Sequence, residues 1–399
     1  MPLGISQKAK NIAPSATLAM DAKAKALRAA GENVIGFAAG EPDFDTPEPI
    51  RNAMKDALDR GMTRYSPVAG TLELRKAIAE KLKRDNDLCY SADEIIVSNG
   101  AKHSLYNAFF TLLDEGDEVI IPTPCWVSYP EMVRMVGGVP VYVPAGEKEG
   151  FVPSVAAIQA AITPKTKAFM LNSPSNPNGC VWPEAILKAL ADLAVQHDFY
   201  VISDEIYECL IYGHHKHVSI ASLGEDIKAR SIVVNGVSKT YAMTGFRIGY
   251  AAGPKAVVQA MVNAQSQATS APNTPAQEAA RMALTMPQAC VETMRQAFEE
   301  RRDALVKGLN AIPGISCLKP DGAFYVMMNM SALIGKSYEG KRLEGCADFA
   351  EALLAAAKVV VVPGDAFMAE GFCRLSYAVS MTNIEEGLRR IAGFVQSLA

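Results

Sequence analysis

Between residues 94 and 234, apolar runs of four or five residues alternate with longer amphipathic segments, and this alternation limits the possible folds more than any other feature. The runs are 94–98, 118–121, 167–171, 199–203 and 231–234, and the spacing predicts helices over roughly 101–113 and 183–196. Strands that short and that continuously apolar are buried on both faces, so they predict a mostly parallel sheet covered by helices on each side. Upstream, residues 15–30 read as a helix, and a second begins near Thr46-Pro47, where a capping hydroxyl precedes Pro at the first turn. Its apolar face would be Ile50, Met54, Ala57 and Leu58. Beyond about residue 275 the pattern changes. One long helix from Pro275 to Leu309, bent or interrupted at Pro287, leads to a strand at 324–328, a helix near 346–357 and a strand at 359–362. That predicts a second, smaller α/β domain, in keeping with 399 residues, a length at which single cores divide.

Composition removes several classes. A net charge of −4 leaves no basic excess for nucleic acid or an anionic membrane surface. No apolar run approaches the roughly 18–20 residues of a membrane span. The start, Met1 to Ser6, lacks the charged and apolar regions of a signal peptide. Eight cysteines without a Cys-x-x-Cys pair read as reduced thiols in a cytoplasmic protein. His214, His215 and His217 resemble a metal tract, but no Cys or carboxylate stands at ligand spacing in this polar loop, so no metal is expected.

In open parallel sheets the site forms beyond the carboxyl ends of the strands. Asp204 and Tyr207 follow the run 199–203; a carboxylate there can hold a pyridine nitrogen protonated, or simply complement a helix N-terminus. Lys239 follows 231–234, where burial would lower its pKa and suit it to Schiff-base formation, and Arg247 eight residues on can return to pair with a phosphate. Gly100 and Ala101 open a helix after 94–98 and leave N–H groups for an anion. Asn176 lies in the turn after 167–171, Trp126 follows 118–121, and Arg374 stands among apolar neighbours where it needs a carboxylate partner. Each has an ordinary structural reading when taken alone. In chain order, at successive strand ends, they form a constellation.

That constellation resembles the class I, fold-type-I aminotransferases dependent on pyridoxal 5'-phosphate (PLP), most closely the bacterial aspartate aminotransferase branch. The run Ser238 to Gly249 carries it most strongly, followed by Asn172–Gly179, Ser203–Tyr207, Ala39–Phe44 and Trp126–Pro130. The resemblance implies a large domain over 49–290 with a mostly parallel seven-stranded sheet, and a small one built from 1–48 and 291–399. It implies that Lys239 carries the cofactor and moves the proton, Asp204 pairs with the ring nitrogen, and Tyr207 and Asn176 bind the ring's phenolic oxygen. Trp126 would stack on the ring. Gly100, Ala101, Ser238 and Arg247 would hold the phosphate, with Tyr65 supplied by the other subunit of a homodimer. Arg374, beside the Gly40 backbone, would clamp the substrate α-carboxylate. Two departures stand out: Gly236 replaces a frequent Ser, and Ala268 occupies the place of the Arg that binds the distal carboxylate in animal-type enzymes. Lys102, assisted by Thr17, would serve instead. The implied reaction is L-aspartate plus 2-oxoglutarate to oxaloacetate plus L-glutamate. A prephenate, aromatic or alanine aminotransferase is an alternative, as are a PLP-dependent β-lyase and, outside enzymes, a PLP-sensing regulator, for which no appended DNA-binding helices or basic region is present. Cis peptides are expected at Thr123-Pro124 and Asn176-Pro177.

Overall fold

The computed structural model describes residues 4–13 and 16–399. After a two-residue strand β1 (Ile35–Gly36), seven strands build the main sheet. They are β2 (Ile95–Ser98), β3 (Glu118–Thr123), β4 (Val139–Pro144), β5 (Thr166–Asn172), β6 (Tyr200–Asp204), β7 (Ser231–Gly236) and β8 (Gly249–Ala252). The spatial order is β2-β8-β7-β6-β5-β3-β4, and only β8 runs antiparallel to its neighbours. Strands β4 and β8 escaped the sequence reading. The exposed residues of β4 mark it as an edge strand, and β8 carries two alanines and a glycine in place of branched side chains.

Alternation along the strands assigns side chains to two faces. On one, Met170, Ile202, Ile232 and Val234 pack against Leu105 and Phe109 of helix 101–112 and Met261 of helix 255–268. On the other, Phe169, Leu171 and Val201 meet Leu187 and Leu190 of helix 184–197, while Ile95, Val97 and Val233 meet Ile50, Leu74 and Ile78. Burying each such side chain contributes about 1.5–3 kcal/mol, and this requirement for two-sided cover is why the strand runs read as continuously apolar.

Downstream, β9 (Tyr325–Asn329) is followed by a small hairpin of β10 (Ser337–Tyr338) and β11 (Lys341–Arg342). Then come β12 (Val359–Val360), β13 (Val362–Pro363) and β14 (Phe372–Ser376). Strands β13, β14 and β9 form an antiparallel sheet in that order, and β12 pairs in parallel with β1. A core of Phe298, Leu305, Phe324, Val326, Phe349, Leu353, Ile391 and Phe394 covers this sheet and extends to Ile206, Tyr207 and Leu210 just beyond β6. The segment leaving the main sheet is thus packed against the second one.

Several local expectations need correction. Thr46 does not cap the helix Glu48–Asp59; its hydroxyl donates to the Ala242 carbonyl at 2.6 Å, and Pro47 holds the cap position. The buried face of that helix is Ile50, Ala53 and Ala57, with Leu58 exposed. The long helix is two, Thr274–Thr285 and Ala289–Asn310, because Pro287 cannot donate to the preceding turn. The valine run 359–362 divides between two sheets. Both expected cis peptides are present, together with one at Ser173-Pro174.

Candidate active site

The carboxyl ends of the parallel strands, the start of helix 101–112 and the face of the β9/β14 sheet enclose a cavity of about 450 Å³. Its lining contains Gly40, Ala101, Lys102, Trp126, Asn176, Asp204, Tyr207, Ser238, Lys239, Arg247 and Arg374, so eleven of the expected residues converge there.

At one end, Gly100 takes φ 86° as the N-cap of helix 101–112, a conformation that favours glycine. A Cβ on Gly100 would come 2.3 Å from the Arg247 guanidinium, and one on Gly249 would come 2.1 Å from the Ala101 amide nitrogen. Only glycine at both positions lets β8 and Arg247 close on the free N–H groups of the helix start. Arg247 itself is left-handed (φ 56°), a conformation that costs energy for a side-chain-bearing residue and aims its guanidinium at this end, where Nη1 donates to the Thr244 carbonyl at 2.9 Å. Helix amides and a guanidinium at one spot suit a phosphate. The departure at Gly236 fits the same close packing: it pairs with Gly249, and a Cβ there would lie 3.0 Å from the Gly249 Cα, so a serine would require the backbone of β8 to give by a few tenths of an ångström.

In the middle, Lys239 is half-buried and donates from Nζ to the Gly40 carbonyl at 2.6 Å. Burial pushes its pKa down to about 8; Glu41 pulls the other way, and Arg247 and Arg374 add to the depression. A neutral, nucleophilic amine is therefore accessible near neutral pH. Asp204, at the end of β6, is pushed up to about 6 by burial, against a 2.7 Å hydrogen bond donated by the Tyr129 hydroxyl. A carboxylate in this setting gains from a cationic partner such as a protonated pyridine nitrogen. The Trp126 ring stands edge-on to Tyr129, and the Lys102 ammonium lies 4.7 Å over the Trp126 face. Burial and Arg247 lower the Lys102 pKa.

At the other end, Arg374 is 1% exposed. Its Nη1 donates to Asn176 Oδ1 at 2.9 Å and its Nη2 to the Ala38 carbonyl at 3.1 Å, while the buried Nε has no hydrogen-bond partner among the described residues. A buried guanidinium with an unused donor is built for an anion. The residues therefore fit the expected PLP: an anion cradle, an amine, a carboxylate for a ring nitrogen and an aromatic plane, with a carboxylate clamp beyond.

Tyr65 does not join this cavity and is 95% exposed. The Thr17 side chain lies outside the described residues. Tyr129, Tyr325, Glu41 and Lys25 also line the cavity without having been assigned a role from the sequence. Tyr129 had a legible signal, three residues after Trp126 where a helix begins; Tyr325 had none, because inside an apolar strand it reads as core. Behind the site, His217 of the histidine tract reaches Glu205 at 2.9 Å, and its ligand atoms and those of Glu205 and Glu208 lie within 4.8 Å of one another. In the sequence no carboxylate stands at ligand spacing from His217; the fold brings two within reach. Their oxygens already accept from Ser203, Ser219, Lys81, Asn86 and Asn235, which makes this a buried ion network.

The pattern described as "Aminotransferase class I and II" matches residues 32–391. The aspartate aminotransferase of Geobacillus stearothermophilus is 48% identical over 398 residues, covering 99% of this chain and all of that protein. The aspartate/prephenate aminotransferase of Thermus thermophilus is 48% identical, covering 98% of each chain. Among solved structures, the aspartate aminotransferase from Rhizobium meliloti superposes with a TM-score of 0.96 at 44% identity over the whole of both chains. That of Thermus thermophilus with maleate gives 0.93 at 47% over 98% of this chain and all of that one. A lysine, a carboxylate and a buried arginine assembled at the ends of parallel strands, in a chain matched over nearly its full length, have one family explanation: the chain belongs to the class I and II aminotransferases.

Proposed function

We propose that this aminotransferase moves the amino group of L-aspartate to 2-oxoglutarate, releasing oxaloacetate and L-glutamate, and works as a homodimer in the cytoplasm. The observation that carries the chemistry is one cavity holding the Lys239 amine, with its pKa near 8, together with Asp204 and Arg374. When bound, PLP supplies an electrophilic carbonyl and a ring that accepts an electron pair. Lys239 would be the nucleophile that holds it; once the substrate's amino group displaces that amine, the freed Nζ would take the proton from the substrate Cα and return it two atoms away, across the nitrogen. Asp204 keeps the ring nitrogen protonated, and Tyr129, by donating to that carboxylate, keeps it fixed in place. Asn176 and Tyr207 would bind the ring oxygen, Trp126 would stack on the ring, and Gly100, Ala101, Ser238 and Arg247 would hold the phosphate. Arg374 receives the α-carboxylate beside Gly40. Burial around these groups keeps water from competing for the proton.

Aspartate requires a second cation, and Lys102 provides it: its ammonium sits over Trp126 at the cavity wall. Names of relatives in several bacteria support the aspartate assignment, and others, named for both aspartate and prephenate, support a second, bulkier dicarboxylate as amino acceptor. We also assign residues 49–290 to a large PLP-binding domain and 1–48 with 291–399 to a small one. Eight free cysteines support the cytoplasm, and among the described residues no helix is long and apolar enough to cross a membrane. The test is Lys102→Ala. A charge-assisted hydrogen bond contributes about 1.5–3 kcal/mol, so half-reactions with aspartate should weaken roughly ten- to a hundredfold while alanine is nearly untouched. Equal losses for both donors would move Lys102 from the substrate to the cofactor and remove the basis for aspartate.

A further inference from the structure

The geometry points to Tyr325 as a positioning residue that ties the carboxylate clamp to the hydroxyl facing the cofactor ring. This inference rests on the assignment of Tyr207 and Arg374 above. Tyr325 begins β9, opposite Ser376 of β14, and Arg374 pairs with Met327 in the same register. Paired residues of an antiparallel ladder share a face, so Tyr325 and Arg374 project to the same side. The consequence is a stacked contact: the guanidinium carbon lies 4.3 Å from the Tyr325 ring centroid. The phenol oxygen continues past it to the Tyr207 oxygen at 2.9 Å, with both side chains buried. It also sits 3.3 Å from where a Cβ on Gly40 would be, so a side chain at position 40 would press on this hydroxyl.

Each phenol has one proton. If Tyr207 gives its own to the ring oxygen, it can only accept from Tyr325, which makes Tyr325 the donor and fixes the direction in which the Tyr207 proton points. Tyr325 thus has two separable parts. Its ring supports the Arg374 guanidinium by cation–π contact, and its hydroxyl orients Tyr207. Arg374 stands in β14 of the smaller sheet and Tyr207 in the turn just past β6 of the main sheet, so this side chain spans the site from one layer to the other.

Two substitutions separate the parts. Tyr325→Phe keeps the ring and removes the hydroxyl. In the PLP-loaded protein the visible absorption titration should move to higher pH by about half to one unit, because a less well oriented Tyr207 stabilises the ring oxygen's anion less. The dissociation constant for aspartate in the half-reaction should stay within about twofold. Tyr325→Leu removes both parts and should show the same titration shift together with a roughly three- to thirtyfold weaker aspartate complex. A Phe variant that titrates at the parental pH overturns the proposal, as does a Leu variant that binds aspartate like the parent. Loss of thermal stability in both variants without this split would leave only packing and would also overturn it. Failure of the underlying assignment looks different: the unmodified protein would then hold no PLP that borohydride can fix, whatever residue 325 is.

Discussion

The Lys239 amine shows how little separates an ordinary lysine from one whose amine is suited to Schiff-base chemistry. The same side chain at the surface would remain protonated through the physiological range; burial beside Arg247 and Arg374 brings its pKa to about 8. Only the neutral amine attacks a carbonyl, so covalent loading of PLP onto the cofactor-free protein should accelerate as pH rises through about 8 and level off above it. Stopped-flow absorbance between pH 6 and 10 measures this, and a rate independent of pH would contradict the assignment. Lys239→Ala should lose the borohydride-reducible link and nearly all turnover. At this scale the sequence was informative: lysine, carboxylate and arginine stood just beyond the strands, where side chains must project into the crevice. Tyr325 was not, because a tyrosine whose hydroxyl has a buried partner and one that merely fills the core look alike in a strand.

Among the elements, the segment after β6 does the most. Asp204 and Tyr207 turn toward the cavity while Glu205 and Glu208 turn away into a network with Lys81, Asn86, Asn235 and His217. Burial alone would lower the His217 pKa, but the Glu205 carboxylate outweighs it and the net shift is upward from 6.5. Burial alone would raise Glu208, but Lys81 and His217 outweigh it and the net shift is downward from 4.5. The signs follow. A raised histidine contributes stability in full below pH 6.5 and loses it as pH climbs through its folded pKa. A depressed glutamate contributes above pH 4.5 and loses its contribution as pH falls through its folded pKa. Glu205→Gln leaves His217 without its charged partner, so the cofactor-free protein should lose about 3–5 kcal/mol at pH 6 and much less at pH 9. Denaturant unfolding at the two pH values checks this; a loss independent of pH would mean that His217 is neutral throughout. None of this was legible in His214–His217, since the partners lie twelve and nine residues upstream and meet the tract only after the chain has folded back.

For the whole molecule, the informative residue is one that the single chain does not use. Tyr65 is almost fully exposed and outside the cavity of its own chain, as a residue serving a neighbour's phosphate would be. Tyr65→Phe should weaken PLP retention about tenfold, the worth of one hydrogen bond to a charged group, with the fold unchanged. Sedimentation of the unmodified protein should give a dimer, and dilution to monomers should release PLP. A monomer with full turnover would refute the shared site.

What the sequence by itself determined is the alternation of strands and helices, the parallel sheet it implies, and the positions just past strand ends where chemistry can be placed. Those follow from local rules, because periodicity, proline and glycine act within a few residues. The tertiary structure alone decided three things. It set the antiparallel insertion of β8, which depends on Gly236 and Gly249 having no side chains to keep strand and helix apart. It divided the valines of 359–362 between two sheets. And it brought Tyr325 under Arg374 and against Tyr207, a contact between residues 118 apart in the chain. Contacts of that separation are selected by which packed arrangement buries the most apolar surface while satisfying every buried donor, and no local pattern in the chain records that outcome.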